Sequence, residues 1–217
     1  MCGRFAQSRL ARAHARSLLP QDHPPAPRPE TWNLAPTTKA LALRQGEAAV
    51  EADWLSWGFE GRAMRPINAR IETAATKGFF ASSWASRRCI VPADGWYEWR
   101  LETGKKQPYY FRRSDRKPLF LAGLWVKTTF CLITRDADGK LAEIHNRRPV
   151  ALDDDNARQW CALPLTSDEL LAKTQPASEI QFHPVSTRVS SPRNDGPDLI
   201  EPLAPSTAAD KPFPNSL

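Results

Sequence analysis

The sequence predicts an α+β fold, a single compact domain around a twisted antiparallel, barrel-like β-sheet with short flanking helices. Three observations lead there. Segments rich in β-branched and aromatic residues recur along the chain, bounded by Gly, Pro and Asp turns. The helical stretches between them are short, which favours a sheet with helices laid against it over a helix bundle. The 217 residues contain no internal repeat and no linker, and that length suits one core.

Taken in order, AQSRLARAHARSLL reads as a first helix with Leu10, Ala13 and Leu18 near one face. It is ended by Leu19-Pro20 and the proline-rich loop DHPPAPRPE. AVEADWLSWGF, RRCIVPADGWYEWR, QPYYFRR, PLFLAGLWV and TFCLITR read as strands. IETAATKGFF and DDDNARQWCAL read as short helices, the second opening on an acidic turn that suits the helix dipole. From Pro197 the chain is rich in Pro and Ser and reads as a loosely attached end; the domain is set at 2–205 and a flexible tail at 206–217.

Composition narrows the function classes. The chain is 41% apolar and 25% charged, with no long apolar run and no basic-plus-hydrophobic leader, so a membrane span or secretion is not expected; the short, domain-only layout suggests a bacterial, cytoplasmic protein. Lys and Arg exceed Asp and Glu by 30 to 24, a net charge of +6 that suits a polyanionic partner without requiring one. The four cysteines, Cys2, Cys89, Cys131 and Cys161, form no C-x-x-C pair, so no metal site is expected. Cys89 and Cys131 fall in strand-type runs and Cys161 in a helix, where buried, inert thiols are the expectation.

Cys2 stands apart. It follows Met1 directly, and is small enough for the initiator residue to be removed, leaving an α-amine and a thiol on one residue. A 1,2-aminothiol condenses with aldehydes. The amine has an ordinary pKa of roughly 7.7–8.0 and the thiol about 8.5, so both are expected to be reactive near neutrality.

Polar and charged residues sit inside apolar neighbourhoods in WNLAPT, RPINARIET, RRCIVPADGWYEWR and IHNRRPVAL. Together with MCGRF this ordered set resembles the SRAP family, the SOS-response-associated peptidase domain proteins that crosslink to abasic DNA. The resemblance implies a crosslinking enzyme with autopeptidase and lyase-type activities. It would recognise abasic sites in single-stranded DNA, including junctions of single and double strands, as a monomer without metal or organic cofactor. In that family the N-terminal cysteine, here Cys2, forms a reversible thiazolidine with the opened sugar.

The resemblance also assigns roles. Glu98 would move protons at the amine, His145 would help open the closed sugar, and Asn68 would orient the N-terminal residue or the sugar. Arg4, Arg70 and Arg147 would hold phosphates, for which the guanidinium fork is suited. Pro36, Trp99 and Trp57 would wedge or stack at the flanking bases. On spacing alone Glu98 reads better as an exposed strand residue, a preference the resemblance reverses, and His145 has the alternative of a structural histidine; Glu72 reads as a partner for a nearby basic group. Three departures from the family pattern are Arg148 where Met is common, and Asp138 and Ser190 where Asn is common; the loop between Trp125 and Thr129 is also short. Two other classes compete with crosslinking: an N-terminal-nucleophile cysteine hydrolase acting on Met1 or other peptides, and a non-covalent single-strand-binding module with an idle cysteine. Cys2 lacks a glycine-rich turn that would supply an oxyanion hole, which weighs against the hydrolase.

Overall fold

In the computed structural model, which describes residues 2–19, 27–47, 49–61, 64–162 and 164–204, the β-type segments become two sheets. The elements are β1 (Phe5–Gln7), α1 (Arg9–Ala15), β2 (Thr31–Leu34), β3 (Lys39–Gln45), β4 (Val50–Trp57), β5 (Asn68–Arg70), α2 (Ile71–Ala74) and α3 (Gly78–Ser86). They continue with β6 (Arg88–Ala93), β7 (Gly95–Glu102), β8 (Lys105–Arg113), β9 (Leu119–Val126), β10 (Thr129–Asp136), β11 (Arg147–Pro149) and β12 (Ala151–Leu152). Last come α4 (Asp154–Ala162), α5 (Ser167–Ala172) and β13 (Ile180–Pro184).

Strands β4, β3, β6, β9 and β10 pair successively, and β10 returns to β4, with Thr129 opposite Ser56. The ring is closed, so these five strands leave few backbone edges unpaired. The sheet is not wholly antiparallel as expected: β10 runs parallel to both β4 and β5. The second sheet, in the order β13, β8, β7, β1, β2, is antiparallel throughout.

Both faces of the ring are covered, which explains why PLFLAGLWV and TFCLIT read as continuous apolar runs rather than alternating ones. Leu41, Leu43, Phe120, Leu124 and Ile133 pack on the side of Trp84 from α3 and Trp160 from α4. Their strand neighbours Ala40, Ala42, Leu121, Phe130 and Leu132 pack with Phe5, Trp96 and Phe111 of the second sheet. The period-2 alternation of strands is thus preserved with apolar residues on both sides.

The chain crosses between sheets at Asp94, whose carboxylate accepts hydrogen bonds from the Ser8 N–H (2.6 Å) and hydroxyl (2.9 Å). The next residue must be glycine, because a Cβ on Gly95 would lie 2.1 Å from the Phe111 carbonyl oxygen.

The first helix starts later than the sequence indicated. Ala6 and Gln7 belong to β1, and Ser8 caps α1 by accepting the Leu10 N–H. Ala11 and Ala15 are buried in place of Leu10, which is 58% exposed; Leu18 is buried as expected. Most of the proline-rich loop, residues 20–26, lies outside the described residues, as do residues 205–217 of the expected tail. The segment from Pro197 is held: Pro197–Ile200 forms a 3-10 turn with Leu199 fully buried. The short link between β9 and β10 is a two-residue turn with Lys127 at φ 50°.

Candidate active site

The amino-terminal residues reach the site by strand pairing. Phe5 lies opposite Trp96 on β7, and the Tyr97 N–H donates to the Arg4 carbonyl at 3.0 Å, so the chain before Phe5 runs alongside Glu98 and Trp99. Cys2 is fully buried in the apolar layer between the sheets. The Asn68 amide nitrogen, at the start of β5, donates to the Cys2 carbonyl at 2.8 Å.

Glu98, Trp99, Lys106, His145 and Ser190 line one open cavity of about 560 Å³. Glu98 is 2% exposed, and burial pushes its carboxyl pKa up to about 8. Cys2 lies within its field: burial first, and the Glu98 charge second, hold the thiol well above its ordinary pKa. The expectation of an easily ionised thiol is therefore corrected. The shift favours the neutral S–H of Cys2, whose sulfur lies 3.8 Å from the Arg4 carbonyl.

His145 sits in the loop between β10 and β11. Burial lowers its pKa, which favours the neutral ring. Its Nδ1 accepts the Arg147 N–H at 2.9 Å, and we assign the ring proton to Nε2 from that bond. When protonated, Nδ1 has a second partner, the Arg147 carbonyl at 3.1 Å. The ring can gain or lose a proton without losing its anchor.

Four expected residues, Cys2, Asn68, Glu98 and His145, converge, and Trp99 joins them at the cavity, its indole N–H donating to the Ser190 hydroxyl at 3.1 Å. Arg4 is half-buried, bonded to Asn33 Oδ1 (2.6 Å) and to the Val189 carbonyl (2.8 Å). Pro36 is partly buried beside Thr37, which holds φ 73°, and Arg70 is exposed at the end of β5; neither lines the cavity.

Two expectations fail on geometry. Trp57 is fully buried, with Phe5 at 5.0 Å and Phe130 at 6.3 Å between ring centroids and its N–H bonded to the Ile67 carbonyl. It is a core residue and cannot stack on a base. The Arg147 side chain is 8% exposed and its fork is occupied by Glu72 (2.7 and 3.0 Å), Asp136 (2.5 Å) and the Thr134 carbonyl (2.7 Å). It closes the base of the His145 loop instead of presenting donors to a phosphate, and Glu72 is the ion-pair partner that the sequence suggested.

Two of the departures from the family pattern answer each other. Arg148, 1% exposed, pairs with Asp138 at 2.9 Å and donates to the Gln175 carbonyl at 2.8 Å. Burial lowers the Arg148 pKa to about 10, short of making it neutral at pH 7. The third departure, Ser190, is a cavity residue. Lys106 was missed, although the Gly104 turn in ETGKKQP sets it opposite Leu101, two residues from Trp99. Among the described residues, no three His, Cys, Asp or Glu side chains gather as a metal site, and no helix is long and apolar enough to cross a membrane.

The family model described as SOS response associated peptidase (SRAP) matches residues 1–192. Abasic site processing protein YedK of Escherichia coli is 36% identical over 94% of this chain and 100% of its own length. Abasic site processing protein YoqW of Bacillus subtilis is 32% identical over 93% of this chain and 99% of its own. The solved structure of a phage-related protein from Bordetella bronchiseptica superposes with a TM-score of 0.70 at 33% identity, covering 85% of this chain and 94% of that one.

Proposed function

The chain belongs to the SOS response associated peptidase (SRAP) family, and from that membership and the site we propose that it processes abasic sites in DNA by a covalent crosslink through Cys2. The observation that carries the reading is the Asn68 bond to the Cys2 carbonyl, which fixes the first reactive residue within the field of a buried Glu98.

Removal of Met1 puts the α-amine on Cys2. A Glu98 carboxyl with a pKa near 8 matches an amine of roughly 8 and can exchange a proton with it in either direction. The amine attacks the C1′ aldehyde of the ring-opened sugar, and His145 serves as proton donor in the ring opening. The resulting carbinolamine takes a proton on its hydroxyl oxygen, the C–O bond breaks to release water, and the nitrogen lone pair forms the imine. The thiol then adds to the imine carbon; its proton passes to nitrogen and the thiazolidine ring closes. One water is lost overall. A neutral thiol suits this order, because the amine attacks first and sulfur follows once the electrophile is an imine.

The same neutrality weighs against the cysteine-hydrolase reading, which needs a thiolate. Single-strand preference, a monomeric state, action in the cytoplasm and contacts from Arg4, Arg70, Pro36 and Trp99 are parts of the proposal. The test is intact mass spectrometry with a single-stranded oligonucleotide bearing one abasic site. The expected result is loss of Met1 and then an adduct of oligonucleotide minus one water, absent in Cys2→Ala. A processed protein that gives no denaturation-stable adduct on an intact lesion refutes the crosslink.

A further inference from the structure

We propose that a groove between α1 and the 27–30 segment is a second nucleic-acid contact, a track for the backbone phosphates of the strand that leaves the catalytic cavity. The inference rests on the proposal that this protein binds abasic DNA.

The groove holds about 360 Å³ and is walled by Arg9, Arg12, Arg16, Arg28, Glu30 and Trp54. Arg9, Arg12 and Arg16 recur at i, i+3 and i+7, which places them along one side of α1 and its cap over about 10 Å of axis. That length matches a few consecutive phosphates of a strand. Arg28 comes from the facing segment, and the Arg12 and Arg28 guanidinium groups both lie over the Trp54 ring, 5.0 and 5.3 Å from its centroid.

The charges in the groove are not balanced. Arg12 donates to the Arg28 and Pro29 carbonyls, both at 2.6 Å, and so is held by neutral oxygens. Glu30 accepts the Arg9 backbone N–H. Among the described residues, no carboxylate lies within 4.0 Å of any of the four guanidinium groups. Four cations line a concave, open site with one carboxylate, Glu30, while Asp94 adds a weaker negative field at Arg12; the surplus of positive charge suits a polyanion over a single small anion.

The groove also continues toward the reactive residues. An adjoining cavity of about 320 Å³ shares Arg12, Arg28 and Trp54 with it and extends to Asn33, Lys39 and Pro192. Asn33 is the residue that accepts the Arg4 guanidinium, and Pro192 lies two residues, at most about 7 Å, from Ser190 in the catalytic cavity. A strand crossing from one to the other stays beside Arg and Lys side chains.

The test uses the triple variant R9Q/R16Q/R28Q, which spares Arg12 because that side chain holds the 28–29 backbone; an unchanged thermal midpoint verifies folding. Binding of a long undamaged single strand is measured by anisotropy against salt. Wild type should show a slope of log affinity on log salt steeper than the variant by about 2, from three phosphates at about 0.7 each. Crosslinking of a short abasic oligonucleotide that fills only the catalytic cavity should be equal in the two proteins. Strands extended only 5′ or only 3′ of the lesion then show which flank uses the track. Equal slopes overturn the proposal, as does a variant that loses short-strand crosslinking in the same measure. If neither protein crosslinks the short strand, the crosslinking reading falls, and the slopes on undamaged DNA still decide the track.

Discussion

Replacing Glu98 with glutamine should stabilise the protein while disabling its chemistry. The folded carboxyl has a pKa of about 8 because burial disfavours its ionised form, against 4.5 for the ordinary group. Between those values the native state binds a proton that the unfolded chain has released. Unfolding is therefore favoured as pH rises, by about 1.4 kcal/mol per pH unit. From 4.5 to pH 7 the penalty reaches about 3 kcal/mol, a sizeable part of the 5–15 kcal/mol that holds an ordinary domain together. It is absent below pH 4.5 and complete above 8. An amide has the same shape and no such cost. Urea unfolding of wild type and Glu98→Gln at several pH values isolates this effect, because other buried groups such as Asp94, also raised by burial, cancel in the difference. The variant should gain almost nothing near pH 4.5, about 3 kcal/mol at pH 7 and most above pH 8, and its crosslinking should fall. Parallel stability curves for the two proteins would refute a buried carboxyl with a raised pKa, and with it the proton exchange assigned to Glu98.

Three further outcomes follow from the geometry. Trp57→Ala should lose about 3–5 kcal/mol of stability by denaturant unfolding, as a large core aromatic does, whereas Trp99→Ala should keep its midpoint and weaken single-strand binding by about 1–3 kcal/mol, as a lost stacking platform does. Asn68→Ala frees the Cys2 carbonyl and should slow crosslinking about 100-fold through misplacement of the amine, with unchanged affinity for undamaged DNA in a binding titration. Asp138→Ala leaves Arg148 charged and buried with one carbonyl, at a cost of about 3 kcal/mol because Asp138 is itself partly exposed; adding Arg148→Met should recover most of that in urea midpoints, and a purely additive pair would contradict the coupling.

Much of the fold was legible because strand chemistry is local. Runs such as PLFLAGLWV need only turn signals at their ends to be read as strands, and the buried thiols of Cys89 and Cys131 followed from that placement, as that of Cys161 did from its helix. The pairing of β10 with β4 and β5 in parallel was not legible, since it joins segments separated by more than 60 residues and leaves no mark on either. Ala6 and Gln7 were misread as helical because their apolar and polar pattern fits both periods; the deciding fact is their pairing with β2 and β7. The end of the chain failed for the opposite reason. Its composition suggested looseness, while one side chain, Leu199, finds a buried seat.

The site divides along the same line. Residues proposed for the chemistry, Cys2, Asn68, Glu98 and His145, could be picked out from their motifs, and they converge in the structure. Residues whose role depends on which side of a strand they face could not. Trp57 and Trp99 look alike in sequence, yet one is sealed between Phe5 and Phe130 and the other edges an open cavity. Arg147 looked like a phosphate ligand until its carboxylate partners were placed around it. Burial drives the Cys2 thiol and the Glu98 carboxyl toward their neutral forms, where the free residues would be partly ionised thiol and fully ionised carboxylate. A neutral acid next to an amine of similar pKa transfers protons with little driving force either way. On the proposed chemistry, the same site can speed both formation of a thiazolidine and its reversal, with the outcome set by whether the aldehyde remains.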